Sequence, residues 1–221
     1  MNSINTSNNT CIRALRDEER TELLASARSL NFKAGELVVK KGTSVNDLYL
    51  LQKGTVELLM DEQRPRQSLM LLFQGEIIGV NCAYSTMNYR FSARALTDCV
   101  VLIINYHTFS AYLKQNTEFS MAFIRYISLV NERFLDWHMK LSQKNSAGAL
   151  AFLLCEFEKS YGQSSFELPL NRSDIARVIG FSKESVLKNL AHFRNEGIVE
   201  STGKKVKILD SSRLLDISNY G

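Results

Sequence analysis

The stretch RSDIARVIGFSKESVLKNL, Arg172–Leu190, carries the reading of the fold. A helix-turn-helix needs a small residue inside its first helix, so that the second can cross it closely, and a turn residue, often Gly, between the two. Ala176 and Gly180 stand four apart in those two places, and Ile175, Ile179 and Val186 supply apolar contacts between the helices. Ser182 is a good N-cap, and Glu184 in the following turn suits the positive end of a helix. A solvated, charge-flanked helical lobe is the competing reading of the same residues. The turn, the cap and the segment downstream favour a helix-turn-helix.

That downstream segment is GIVESTGKKVKILD, which reads as a two-stranded hairpin turning at Thr202-Gly203-Lys204. Upstream lie AGALAFLLCEFEKSYG, a helix closed by Gly162 at its C-cap, and FELPL, a short strand holding Pro169. SSRLLDISNYG closes the chain as a short helix. Helix, strand, two helices and a hairpin make a winged helix-turn-helix.

If Ser182 opens the second helix, Lys183, Glu184, Ser185 and Lys188 project from its N-terminal half, the part that meets base edges in a major groove. Lys can donate to guanine O6 and N7, and Glu can accept from cytosine N4. Arg172 and Ser173, opening the preceding helix, suit backbone phosphate, as do Lys204, Lys205 and Lys207 on the wing. Asn189 breaks the pattern, standing where an apolar residue is expected.

Further upstream, NTEFSMAFIRYISLVNERFLDWHMKLSQK places Phe123, Ile127, Val130, Phe134, Trp137 and Leu141 at alternating spacings of four and three. That heptad seam predicts one long helix, which can pack on its own domain, pair with its twin, or do both. The helical pattern begins at Tyr106. Before it the period is that of short strands: FKAGELVVKKGTSVNDLYLLQKGTVELLM, SLMLLF, EIIGV, RFSARAL and CVVLIIN. Gly35, Gly42 and Gly54 punctuate the first of these at turn positions. Short strands with regular turns predict an antiparallel barrel or jelly roll. The polar DEQRPRQ around Pro65 reads as a loop, and IRALRDEERTELLASARSL as one or two short amphipathic helices built on Ile12, Leu15, Leu23, Leu24 and Ala27.

Composition narrows the function classes. The 221 residues are 45% hydrophobic and 23% charged, which is globular, and the net charge of +4 permits nucleic-acid binding without demanding it. MNSINTSNNT lacks a basic-then-apolar pattern and reads as a frayed end, and no run approaches a membrane span of roughly 18 to 20 apolar residues. A cytoplasmic protein without membrane attachment is expected. Cys11, Cys82, Cys99 and Cys155 include no C-x2-4-C clip, so reduced, mostly buried thiols are expected rather than a metal centre, with Cys11 in a mobile start. His107, His138 and His192 are isolated from one another. Packing is their default role, with a haem ligand as the alternative. None lies in the strand region, which argues against a metal-dependent barrel enzyme.

In order along the chain, FKAGELVVKKGTSVNDLYLLQKGTVEL, Gly75-Glu76 in FQGEIIG, ALTDCVVLIINYHTF leading into the long helix, and NRSDIARVIGFSKESVLKNL with its wing resemble the Crp/Fnr (cyclic-AMP-receptor/FNR-type) family of bacterial transcription regulators. The resemblance runs from about Ile12 to Leu209. It implies an α+β protein: a cyclic-nucleotide-binding-type β-roll over residues 1–115, a dimerisation helix over 116–144, and a winged helix-turn-helix over 145–221. It further implies a homodimer on palindromic promoter DNA, RNA polymerase as a partner, and allosteric control through the roll.

The family's cyclic-AMP type reads bases with Arg-Glu-x-x-x-Arg; here the matching residues are Lys183, Glu184 and Lys188, charged but without the bidentate guanidinium fork. Its effector pocket uses Gly-Glu for the ribose and Arg-Ser for the phosphate. Gly75 and Glu76 match the first pair. The second falls in YRFSAR, where an ungapped alignment sets Tyr89 and Arg90 at the Arg-Ser positions and a small shift leaves Phe91 for the serine, with Ser92 next. Gly75, Glu76, Arg90 and Ser92 are thus the effector-pocket candidates; no cofactor is expected, with a cyclic nucleotide as the alternative. The cysteines do not match the N-terminal cluster of iron–sulfur members. The alternative function is a small-molecule-binding protein of this fold with a degenerate DNA lobe, suggested by Asn189 and the missing arginines.

Overall fold

The computed structural model describes residues 10–60 and 68–221. The expected loop around Pro65 and nearly all of the expected frayed start lie outside the described residues. The chain forms two compact units, Met1–Phe134 and Leu135–Gly221, divided within one long helix.

The first unit opens with helices α1 (Thr10–Arg13) and α2 (Asp17–Ser26). Its strands are β1 (Arg28–Phe32), β2 (Leu37–Val39), β3 (Asp47–Lys53), β4 (Val56–Leu59), β5 (Ser68–Leu72) and β6 (Ile77–Ile78), then, after helix α3 (Val80–Ala83), β7 (Ser92–Ala95) and β8 (Cys99–Asn105). They make two four-stranded sheets, ordered β1-β8-β3-β6 and β2-β7-β4-β5, antiparallel throughout. The non-sequential order is that of a roll rather than a meander. Its core is the apolar content of the strands, among them Leu48, Leu50, Leu51, Val56, Leu71, Val101 and Ile104. Gly54 shows why the turns need glycine. It takes a φ of 98°, and a Cβ there would stand 2.6 Å from the Cys99 sulfur.

Three expectations shift here. The end of IRALRDEERTELLASARSL is not helical: Ala27 is extended, and Arg28, Ser29 and Leu30 pair with Ile103, Leu102 and Val101. A helical period read across a boundary cannot register a partner strand 70 residues away. Likewise EIIGV yields only the two-residue β6, because Gly79 turns the chain at a φ of 84° into α3. Cys11 is not in a mobile start. It is buried on α1, and burial pushes its thiol up to about 12, far from a reactive thiolate.

Helix α4 (Tyr106–Gln115) is capped by Asn105, whose side chain accepts from His107 N and Thr108 N. The long helix α5 (Thr117–Gln143) follows. The junction is pinned from α2. The Arg16 guanidinium binds the Glu19 carboxylate, which also accepts from Asn116 Nδ2 at 2.7 Å, while Asn116 Oδ1 caps α5 through Phe119 N. These bonds, the Arg16 pairing foremost, hold the Glu19 carboxyl at about 2.

The second unit contains the end of α5, then α6 (Ser146–Tyr161), β9 (Ser165–Glu167), α7 (Arg172–Ile179), α8 (Lys183–Asn195), β10 (Val199–Thr202), β11 (Lys205–Ile208) and α9 (Ser211–Tyr220). Gly162 closes α6 in the left-handed conformation, as its position predicts. The strand expected at FELPL lies earlier, at Ser165–Glu167, ahead of Pro169, which has no amide hydrogen for a ladder. The expected two-stranded hairpin is a three-stranded sheet, β10-β11-β9, with Val206 opposite Phe166. Trp137, Phe152, Phe157, Phe193 and Leu214 are buried in this unit. Among the described residues no helix is long and apolar enough to cross a membrane.

Candidate nucleic-acid interface and roll pocket

The helix-turn-helix is assembled by local chemistry. Asn171, which the sequence reading missed, caps α7 by accepting from Ser173 N and Asp174 N at 2.9 and 3.0 Å. Gly180 ends α7 at a φ of 77°, and the amides of Gly180 and Phe181 both converge on the Ala176 carbonyl. An L-residue would be strained there, so the turn belongs to glycine. Ser182 caps α8 by accepting from Ser185 N at 3.1 Å, and the Ser182 and Ser185 hydroxyls are hydrogen-bonded to each other. Ala176, Ile175, Ile179 and Val186 are buried, as their roles require.

One face of α8 is thereby held inward (Val186, Asn189, Leu190 and Phe193), and the opposite face is left out. Lys183, Glu184 and Lys188 are exposed on that outer face, and Ser185 is half-buried beside its cap. Asn189, anomalous in sequence, is explained: it is 9% exposed, and its Nδ2 donates to Ser146 Oγ at 2.9 Å, tying α8 to the first turn of α6. A buried amide with a partner is a specific tether.

The wing turns through Gly203 and Lys204, with Thr202 facing Lys205 across the ladder. Lys205 and Lys207 alternate outward with buried Val206 and Ile208, and Lys204 and Ser173 are also exposed. Arg172 does something the sequence did not signal. Its Nη2 donates to the Gly203 carbonyl at 2.7 Å, so it holds the wing tip against the start of α7, and partial burial lowers its pKa. Wing, α7 start and α8 thus bring Arg172, Ser173, Lys183, Lys188, Lys204 and Lys205 into one unit.

Most of the roll candidates are already engaged. Glu76 is held by the Arg133 guanidinium of α5 and accepts from Phe73 N at 2.6 Å, while Arg133 also donates to the Leu71 carbonyl and lies over the Phe73 ring. Next to it, Ile77 N donates to the Tyr126 hydroxyl at 2.8 Å. Gly75 takes a φ of 94° and donates to the Leu51 carbonyl. Ser92 is fully buried, with Oγ accepting from Lys41 N at 3.0 Å. Arg90 is exposed and has no ion pair among the described residues. A cavity of about 420 Å³ does exist in the roll, but its walls are mainly Leu58, Met60, Met70, Leu72, Phe91 and Phe134, with Arg90, Asn81 and Asn131 the more polar contributors. Of the four candidates only Arg90 lines it.

Along α5 the expected seam divides. Phe123 and Trp137 are buried, each within its own unit; Ile127, Val130 and Leu141 are half-buried, and Phe134 is partly exposed. Met121 and Ile124 in the first unit, and Leu135 and Met139 in the second, are exposed apolar residues that the heptad reading passed over. Among the described residues no group of three or more His, Cys, Asp or Glu is placed to hold a metal ion.

A capped helix-turn-helix with a basic wing, preceded along the chain by a roll of eight strands among the described residues, defines a DNA-binding regulator of two parts. Comparison with known proteins agrees. The family described as cyclic nucleotide-binding domain matches residues 29–116, and that described as Crp-like helix-turn-helix domain matches residues 148–217. The chain is 26% identical over 188 residues to Electron transport regulator A of Shewanella oneidensis, covering 81% of this chain and 74% of that one. It is 23% identical over 192 residues to the Fumarate and nitrate reduction regulatory protein of Escherichia coli, covering 84% and 76%. The fold is shared with FixK2 from Bradyrhizobium japonicum at a TM-score of 0.78 and 18% identity, covering 86% of this chain and 96% of that one. The chain belongs to the Crp/Fnr family and is a DNA-binding transcription regulator, not an enzyme.

Proposed function

We propose that the protein works as a homodimer that reads a palindromic promoter site through α8 of each protomer, with α5 as the dimerisation helix between a roll (1–115) and a DNA-binding domain (145–221). The observation that carries this reading is the outer face of α8. Capping, turn and core leave Lys183, Glu184 and Lys188 unburied at the helix end that enters a major groove. Two such helices on a dimer would meet half-sites about 34 Å apart. Met121 and Ile124 of the first unit and Leu135 and Met139 of the second support pairing along α5, since they are apolar and exposed. RNA polymerase as a further partner rests on the family resemblance alone.

The test is selection of bound sites from a random duplex pool, followed by titration at several salt concentrations. The expected result is a two-fold symmetric site whose affinity falls steeply with salt, with a log–log slope near −0.9 per phosphate contacted. Absent or salt-insensitive binding overturns the reading. Asn189 no longer favours a degenerate DNA lobe, because its tether to Ser146 accounts for it.

For the roll, the reading is an effector other than a cyclic nucleotide. Glu76 is engaged by Arg133, Ser92 by Lys41 N, and Phe91 stands in the wall, so a buried phosphodiester and ribose would meet few free partners. Cyclic AMP is therefore expected to leave the melting temperature unchanged. Stabilisation by cyclic AMP that is lost in Glu76→Gln would reverse this.

A further inference from the structure

On the outer face of α8 one residue does not fit the polar pattern. Leu187 is 48% exposed, set between Glu184 and Lys188 one helical turn from Lys183, with Val186 and Leu190 already filling the core side. It borders a shallow concavity of about 210 Å³ shared with Arg172, Ala191, Arg194 and Ser201, so two cations flank an apolar surface. A single exposed Leu elsewhere on a protein needs no explanation. Here it stands on the face that the proposed function lays in the groove, and the inference rests on that reading.

We infer that Leu187 is a specificity-determining residue that packs on the C5-methyl group of a thymine. Among the groups that base pairs present in the major groove, the thymine methyl is the largest apolar one, cytosine offering only a C5–H in its place. The rest are hydrogen-bond donors and acceptors. Leu has neither, so against guanine, adenine or cytosine it would desolvate polar atoms without replacing their bonds with water. Against thymine it covers a methyl. Attraction to one base and exclusion of the rest come from the same side chain. The flanking Lys183, Glu184 and Lys188 read polar edges, so Leu187 adds an apolar element to an otherwise charged readout.

Deoxyuridine isolates the contact, since it differs from thymidine only by that methyl. In the site obtained by selection, each thymine of a half-site is replaced singly by deoxyuridine. Affinity is measured for the wild-type protein and for Leu187→Ala, an exposed-helix change that preserves helix propensity. One position per half-site should lose about fourfold in affinity with wild type, the value of one buried methyl. Leu187→Ala should bind the thymine and deoxyuridine duplexes equally and, when reselected, should lose its thymine preference at that position while keeping the others. If no single deoxyuridine weakens wild-type binding, or if Leu187→Ala shows the same penalty, the contact does not exist. If wild type selects no site at all, the DNA-reading itself fails and the contact with it.

Discussion

The DNA-binding unit and the roll carry comparable family signals, yet their candidate sites fare differently. In the DNA-binding unit, the residues singled out from sequence fall on one helix, one turn and one hairpin, and the structure leaves most of them outward and close together. In the roll, Gly75 and Glu76 share one turn while Arg90 and Ser92 come from another part of the chain, and Glu76 and Ser92 are already bonded to Arg133 and Lys41 N while Arg90 is exposed. A recognition helix is specified by caps and turns within about twenty residues. A pocket is specified by which side chains of distant strands face it and what they have already bonded to. The comparison teaches that a motif match is worth more where its members share one element.

Changes to each unit test that contrast. The largest effect is expected in the roll, at the buried pair of Glu57 on β4 and Arg94 on β7, which face each other at 2.8 Å with Glu57 fully buried. Glu57→Ala should cost about 3–5 kcal/mol, because it leaves the guanidinium uncompensated. Calorimetry should resolve an early roll transition, with DNA affinity at low temperature unchanged. One coincident transition would show that the units melt as one and break the comparison.

Next in size is the double change Lys183→Ala with Lys188→Ala. It should weaken specific DNA binding by about 2–4 kcal/mol and flatten the salt slope, leaving thermal stability unaltered. Unchanged affinity would return the lobe to a solvated surface.

A smaller effect sharpens the account of α8. Asn189→Ala should lower the stability of the second unit by about 1 kcal/mol through loss of the bond to Ser146, and should not change base preference. An altered preference would make Asn189 a reader rather than a tether.

The smallest is a pH effect at the α2–α5 junction. Glu19 is held at about 2 against an ordinary value of 4.5, chiefly by its bond to Arg16. A depressed carboxyl contributes stability that is present above its unfolded value and lost as pH falls toward the folded one. Stability of wild type should therefore fall more steeply between pH 4.5 and 2 than that of Glu19→Gln. Parallel curves would dissociate Glu19 from the acid response.

Much of this was legible in advance. Gly54, Gly162 and Gly180 sit at turns or caps and take positive φ, and Ser182 caps α8. The short strand at FELPL was read from the sequence, but its membership of the wing sheet was not, because β9 pairs with β11 some forty residues on. The division of α5 was equally hidden. Apolar residues occupy both sides of that helix, and spacing does not say which side meets the protein's own core.

The sequence by itself determined most of the elements and their order, the helix-turn-helix and the end of α8 that faces outward, because propensity, capping and turn chemistry act between neighbours in the chain. Only the tertiary structure decided that Arg172 holds the wing tip, that Asn189 is a buried tether, that Arg133 occupies Glu76 and that Leu187 stays exposed. Each of these depends on a partner, or on the lack of one, supplied by a distant segment, and hydrogen bonds and burial across such distances leave no local pattern to read.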